Sequence, residues 1–109
     1  MDVIDRIKQV GEEKYAFDIR AMDVRGGSDI TDFYVIMSCK NDRQMKALAW
    51  EIEKVLFKEF HVKMAHLDGE LESHWIVMDY GNIIIHIFVS ELREVYKLEE
   101  LWQKGKKIY

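Results

Sequence analysis

The residues whose types and spacing suggest chemistry lie in a polar segment just ahead of an apolar run. Two carboxylates, Asp29 and Asp32, follow a Gly-Ser pair at positions 27 and 28. Nucleotidyltransferases place a Gly-Ser turn ahead of an Asp-x-Asp pair because their two metal ions need clustered carboxylates. Here the position two after Asp32 is Tyr34, so the pair is broken. Polar residues are expected in a turn in any case, and we predict that the chain is not an enzyme.

Other kinds of chemical site find little support in the sequence. Cys39 is the single cysteine, which excludes a disulfide framework and a cysteine-based zinc site. Of the four histidines, His61 and His66 are an odd number of residues apart, so a regular strand would direct them to opposite faces. The chain has neither a G-x-x-x-x-G-K loop nor a G-x-G-x-x-G loop for phosphates. We therefore predict no catalytic residue, no metal and no cofactor.

Length and charge narrow the function classes further. The 109 residues are 49% hydrophobic and 33% charged, which fits one domain with its own core. The formal net charge of −4 argues against an autonomous nucleic-acid binder and fits a protein that meets a basic partner. The sequence has no apolar run of membrane-spanning length and no basic segment of the signal-peptide type at its start. We expect a cytoplasmic protein.

The hydrophobic pattern predicts the element order α-β-β-α-β-β-β-α. Apolar residues recur at helical spacing after Asp2 up to Gly11, alternate from Phe17, and run without interruption from Phe33 to Met37. Asn41 begins the clearest helix, with Gln44 placed as in a capping box. In that helix Trp50 and Phe57 lie off the apolar stripe, so they touch a second element or stay partly exposed.

These elements predict a single α/β (α+β) domain over residues 1–109, with a mixed sheet of about five strands packed with helices. The connection from the second strand through the long helix to the third has the length of a parallel crossover. The tail 103–109 is expected to be frayed.

The hairpin formed by residues 75–89 carries one face of mixed character. Pairing across a tight turn at residues 79–82 places all its isoleucines except Ile84 on one apolar face, together with Met78. The opposite face then holds Trp75, Val77, Asp79, Ile84, His86 and Phe88. Large aromatic anchors beside a few polar groups are typical of a protein-binding patch, although a covering helix would produce the same pattern. Among apolar neighbours His86 should be neutral, and it could orient Asp79 or Arg93 by a hydrogen bond.

The same segment carries a family resemblance. The spacing W-x(3)-D-Y-G-x(4)-H-x-F begins at Trp75, and R-x-x-Y-x-L-E-x-L-W begins at Arg93. Together with the run TDFYVI at residues 31–36 and with Gln44, these motifs resemble the ribosomal silencing factor family (RsfS, also called iojap). The resemblance covers nearly the whole chain in order. One departure is His74, where glycine or another small residue is expected.

The resemblance implies a nucleotidyltransferase-like fold without catalytic carboxylates. It also implies a translation repressor that binds the large ribosomal subunit through its ribosomal protein fourteen and sterically blocks subunit joining when nutrients are short. The candidate partner-binding residues are Trp75, Asp79, Tyr80, His86, Phe88, Arg93 and Tyr96, with Tyr80 expected to project from the turn. Two alternatives stay open: a degenerate nucleotidyltransferase that still binds a nucleotide, and a homodimerisation module.

Overall fold

Two helices and six strands make up the part of the chain that the computed structural model describes, residues 2–26, 31–69, 74–89 and 105–109. Their order is α1 (Val3–Glu13), β1 (Phe17–Asp23), β2 (Phe33–Cys39), α2 (Asp42–Phe60), β3 (His66–Asp68), β4 (Trp75–Asp79), β5 (Ile83–Val89) and β6 (Lys106–Lys107). The α+β class with a mixed sheet is as predicted. The helix predicted after residue 90 lies outside the described residues. Neither described helix has the length and apolar content that crossing a membrane requires.

The six strands form one sheet in the order β3-β4-β5-β2-β1-β6. The parallel pair is β2 with β5, in register from Phe33 opposite Ile83 to Cys39 opposite Val89. The expectation that β2 would run parallel to the next strand in the chain is wrong, because β3 lies at the edge. β3 has three exposed residues, whereas six of the seven residues of β5 are buried. A central position needs side chains that can be buried on both faces, and β5 supplies them.

Both helices pack on one face of the sheet and form the main core with it. The stripe of α2 is confirmed, with Met45, Leu48, Ile52, Val55 and Leu56 all buried. α1 begins at its predicted cap, but it continues past Gly11 to Glu13. A Cβ at Gly11 would lie 3.0 Å from Cδ1 of Ile19, so this glycine allows the helix to approach the sheet closely.

A hydrogen-bonded junction joins the end of α1 to the start of α2. Oδ1 of Asn41 accepts the backbone N–H of Gln44 at 2.9 Å, as the predicted cap requires. The side-chain oxygen Oε1 of Gln44 accepts from the backbone N–H of Lys40 at 2.7 Å. Its amide nitrogen donates to the carbonyl oxygens of Lys14 at 3.0 Å and Tyr15 at 2.9 Å. One side chain therefore satisfies backbone groups of two elements.

The end of the chain is ordered where fraying was expected. β6 pairs antiparallel with β1, and the hydroxyl of Tyr109 donates to the carbonyl oxygen of Ile4 at 3.0 Å. The Tyr109 ring also packs against the main core. The expectation of a frayed tail is wrong for residues 105–109, because an edge strand and an aromatic anchor hold them in place.

Candidate functional site

The mixed face of the hairpin exists as predicted. The register places Trp75 opposite Phe88, Val77 opposite His86 and Asp79 opposite Ile84, so the side chains of all six share one face. The parallel pairing adds β2 to this face, with Tyr34 opposite Ile84 and Ile36 opposite His86. The face lies opposite the one that α1 and α2 cover.

Burial divides this face into an interior part and an accessible part. Phe88 and Ile36 are 0% exposed and His86 is 7% exposed, whereas Trp75 and Asp79 on β4 are only partly buried. His86 and Phe88, both candidate partner-binding residues, are buried because β5 is an inner strand between β4 and β2, so neither offers a surface for direct contact. From this position His86 and Phe88 can hold the partly exposed side chain of Trp75 in place.

The Trp75 side chain is held by two neighbours on β5. Its Nε1–H donates to Nδ1 of His86 at 3.1 Å. The indole also stacks on Phe88, with ring centroids 5.2 Å apart and planes inclined by 17°, and on the imidazole at 5.8 Å and 25°. Packing and hydrogen bonding together fix both the position and the tilt of the ring.

The hydrogen bond defines the protonation state of His86. Nδ1 accepts only in the neutral imidazole that carries its proton on Nε2. Burial lowers the pKa of His86 from its ordinary 6.5 to about 4, in agreement with the predicted neutral form. Of the two hydrogen bonds considered for His86, the one to Asp79 is not formed, and Arg93 lies outside the described residues. The Asp79 carboxylate instead accepts from the N–H of Gly81 at 2.7 Å, within the turn.

The start of β4 has an unusual backbone. His74 has φ of +58°, a left-handed conformation that explains why glycine was expected at this position. Its Nδ1 lies 2.6 Å from Oδ1 of Asp42 at the start of α2. Gly69 has φ of +115°, and a Cβ there would overlap the carbonyl oxygen of Trp75. The end of β3 thus passes directly against the backbone that carries the tryptophan.

Tyr80 does not project from the turn. It is 7% exposed and belongs to the core on the helix-covered face, so the expectation of an exposed turn tyrosine is wrong. Burial, with a smaller effect from the Glu53 charge, raises the pKa of Tyr80 to about 12. Its hydroxyl is buried without a hydrogen-bond partner in the described part of the chain. A contact between this ring and a partner is not supported. The two other candidates, Arg93 and Tyr96, lie outside the described residues.

The polar segment that resembles a nucleotidyltransferase turn does not assemble a carboxylate pair in its described part. Asp32 is exposed, whereas Tyr34 is buried with its ring centroid 6.0 Å from that of His86. Asp29 and Ser28 lie outside the described residues. Within the described ranges, no three His, Cys, Asp or Glu residues cluster so as to hold a metal ion.

A family model described as "Ribosomal silencing factor during starvation" matches residues 1–109. The chain belongs to this family. It is similar to the ribosomal silencing factor of Haemophilus influenzae, with 39% identity over 78% of this chain and 82% of the relative. The factor of Bacillus subtilis is 34% identical over 84% of this chain and 76% of the relative.

More distant and structural relatives agree with the family. A mouse protein named for mitochondrial assembly of the ribosomal large subunit is 28% identical over 91% of this chain and 44% of its own length. Among solved structures, a Chromobacterium violaceum protein superposes with a TM-score of 0.82 at 25% identity, covering 94% of this chain and 87% of that one. A Bacillus halodurans protein gives 0.81 at 26% identity, covering 98% and 96%. The predicted mixed α+β fold of a single domain is confirmed.

Proposed function

We propose that this protein binds the large ribosomal subunit through its ribosomal protein fourteen and sterically blocks subunit joining, which represses translation in the cytoplasm under nutrient limitation. The observation that carries the proposal is the state of Trp75. Its side chain is only partly buried and is already fixed by a hydrogen bond and two ring stacks. Preorganised tryptophans are typical centres of interface binding energy, because little side-chain freedom is lost on binding.

The charges around Trp75 fit a basic protein partner. Asp79 lies on the same face of β4, and the chain carries a formal net charge of −4. Opposite charge on a ribosomal protein would speed encounter and orient the complex. Blocking needs no catalytic group, since a factor that occupies the contact surface of one subunit excludes the other by mass action.

The absence of enzymatic activity is part of the same proposal. Tyr34 occupies the place of the second carboxylate, and its buried ring lies against His86 instead of facing a metal site. Titration of ATP with Mg²⁺ into the protein, followed by calorimetry, should show no binding. Metal-dependent turnover of a nucleoside triphosphate that is lost in Asp32→Ala would contradict this.

The decisive experiment is sedimentation of the purified protein with isolated large subunits, small subunits and intact ribosomes. We expect the protein to pellet with large subunits, and light scattering should show slower subunit joining. Asp79→Asn keeps the acceptor for the Gly81 N–H but removes the charge, so it should weaken binding most at low salt. Tyr15→Ala, at an exposed aromatic residue beyond the end of α1, is the control.

Pelleting with small subunits alone would contradict the proposal. A dimer that does not bind the ribosomal protein would favour the homodimerisation alternative.

A further inference from the structure

The outward side of α2 exposes two aromatic rings. Trp50 is 64% exposed and Phe57 is 51% exposed, and both lie away from the stripe that packs on the sheet. They are two helical turns apart on one side, which separates them by about 10 Å along the axis. Leu67, 51% exposed on β3, lines a shallow hollow together with Trp50. Exposed rings of this size carry a solvation cost that a binding partner would relieve.

Each ring has a lysine ammonium over one of its faces. Nζ of Lys54 lies 5.2 Å from the ring centroid of Trp50, and Nζ of Lys63 lies 6.0 Å from that of Phe57. These separations are within the range of cation–π attraction. The surface therefore contains the same arrangement twice: an exposed aromatic ring with a positive charge over one face, which leaves the other face for a stacked base.

Three of the four acidic residues of α2 contact a basic or histidine side chain. Asp42 contacts His74 at 2.6 Å, Glu51 contacts Lys54 at 3.5 Å and Glu59 contacts Arg6 at 3.0 Å. Glu59 also lies about half a helix circumference away from Trp50, so its charge is on the opposite side of α2.

The basic residues on the side of Trp50 are differently placed. Arg43 and Lys46 are exposed and lie within about 40° of Trp50 around the helix, and neither has an ion-pair partner in the residues that the structure describes. Glu53 is exposed between the two rings, where it lines one hollow with Trp50 and another with Phe57, and Asp42 lines a third with Arg43 and Lys46. Around the two rings the four cations Arg43, Lys46, Lys54 and Lys63 still outnumber the three carboxylates Asp42, Glu51 and Glu53, in a protein whose net charge is −4.

We propose that this surface, defined by Arg43, Lys46, Trp50, Lys54 and Phe57, docks a single-stranded segment of RNA, with bases stacked on the rings and phosphates beside the cations. Stacking platforms interleaved with basic side chains are the common means of holding single strands without reading their sequence. This contact is separate from the proposed protein contact on β4 and does not depend on it.

Charge and shape favour RNA over the other occupants. A second copy of the chain would bring Arg43 and Lys46 against their own equivalents, and like charges oppose that pairing. An anionic membrane would need a broad apolar side, but the apolar stripe of α2 is buried against the sheet. The exposed side offers separate rings among charges instead.

The test is fluorescence anisotropy with a labelled single-stranded oligoadenylate, titrated with the full chain at low and moderate salt. For about three neutralised phosphates, the logarithm of the affinity should fall against the logarithm of salt with a slope of about −2. Trp50→Ala should weaken binding by about 5-fold to 100-fold without changing the thermal melting curve, because the ring is exposed. The double variant R43E/K46E should weaken binding and flatten the slope, and the single variant Arg43→Glu should weaken it more than Lys14→Glu, the matched single charge reversal at the end of α1.

Three outcomes would overturn the proposal. The first is no binding of the oligonucleotide at low salt. The second is an affinity that the Trp50 and Arg43/Lys46 variants leave unchanged or that Lys14→Glu reduces equally. The third is binding of anionic vesicles, or self-association that Trp50→Ala abolishes, in place of RNA binding. Trp75→Ala should leave the RNA affinity unchanged, so failure of the ribosomal-protein contact and failure of the RNA contact are told apart.

Discussion

The indole N–H of Trp75 donates to Nδ1 of His86 at 3.1 Å, diagonally across β4 and β5. One partner is accessible and the other is buried, so a surface residue is positioned from within the sheet. The bond exists only while the imidazole is neutral. The state of a buried histidine thus fixes the orientation of the residue that we place at the ribosomal contact.

Stability should fall in mild acid because of His86. The unfolded chain takes up a proton at the ordinary pKa of 6.5, whereas burial holds the native pKa at about 4. The unfolded state therefore binds more protons between these values, and stability is complete above pH 6.5 and declines as pH falls towards 4. The total loss is about 3 kcal/mol. Urea unfolding at several pH values should reveal it.

The matched variant for this measurement is His86→Gln, which keeps an acceptor but does not titrate. Between pH 6.5 and 4 the wild-type free energy of unfolding should fall by up to about 1.4 kcal/mol per pH unit more steeply than that of the variant. Parallel pH dependences for the two proteins would show that His86 does not contribute. Carboxylates titrate in both proteins, so the difference isolates the imidazole.

Replacing Trp75 should separate binding from folding. Trp75→Phe keeps a ring for the stack on Phe88 but removes the N–H, so the fold should lose about 1 kcal/mol. Trp75→Ala should remove at least about 2 kcal/mol of large-subunit binding, the usual loss at an interface hot spot. Sedimentation with large subunits gives the affinity, and circular dichroism gives the stability. A folded alanine variant that still pellets fully would remove Trp75 from the interface.

His74→Gly should stabilise the start of β4. The left-handed φ of +58° costs a residue with a Cβ about 1 kcal/mol relative to glycine. The exposed contact with Asp42 offsets part of that gain by up to about 1 kcal/mol. In an Asp42→Ala background the offset is absent, so the free energy of unfolding should rise by about 1 kcal/mol. A decrease in that background would mean that His74 has a further stabilising contact.

Tyr80→Phe should leave ribosome binding unchanged and should not destabilise the protein. The hydroxyl is buried with no hydrogen-bond partner in the described ranges, so its desolvation is uncompensated. Removing it should raise the free energy of unfolding by about 1 kcal/mol. Chemical denaturation measures this directly. Weaker binding to large subunits by the phenylalanine variant would restore Tyr80 to the contact surface.

Gln44 should prove structural. Gln44→Ala removes hydrogen bonds to Lys40, Lys14 and Tyr15, and we expect a loss of about 2 kcal/mol in stability. Gln44→Glu keeps the oxygen that accepts from Lys40 but loses both donated bonds, so its stability should lie between those of wild type and alanine. Equal stability of all three proteins would show that the junction of α1 and α2 does not depend on this side chain.

Local features of the fold were predictable from the sequence because short-range rules decide them. The stripe of α2 follows from helical periodicity, and the pairing of Trp75 with Phe88 follows from the tight turn at residues 79–82. Features that depend on residues far apart in the sequence were not predictable in this way. Nothing local indicates that β2 pairs with β5 or that β6 pairs with β1.

The candidate site divides along the same line. Alternation correctly gave the residues that share the mixed face, but it could not say which of them stay accessible. His86 and Phe88 are interior because β5 is an inner strand, which is a property of the whole sheet. The positive φ of His74 had a signal in the family resemblance, which implies glycine or another small residue at this position.

The parallel pairing of β2 with β5 has a consequence for how the protein is made. All of α2, β3 and β4 lie between these two strands in the chain. Pairing β2 with β5 therefore closes a long loop, and the entropy cost of closing it precedes the stabilisation from the contacts. During synthesis the antiparallel pair β1–β2 and the helix α2 can leave the exit tunnel first, with the apolar edge of β2 uncovered. The centre of the sheet is completed only when β5 emerges, so the preceding elements cannot reach their final packing until β5 has been synthesised.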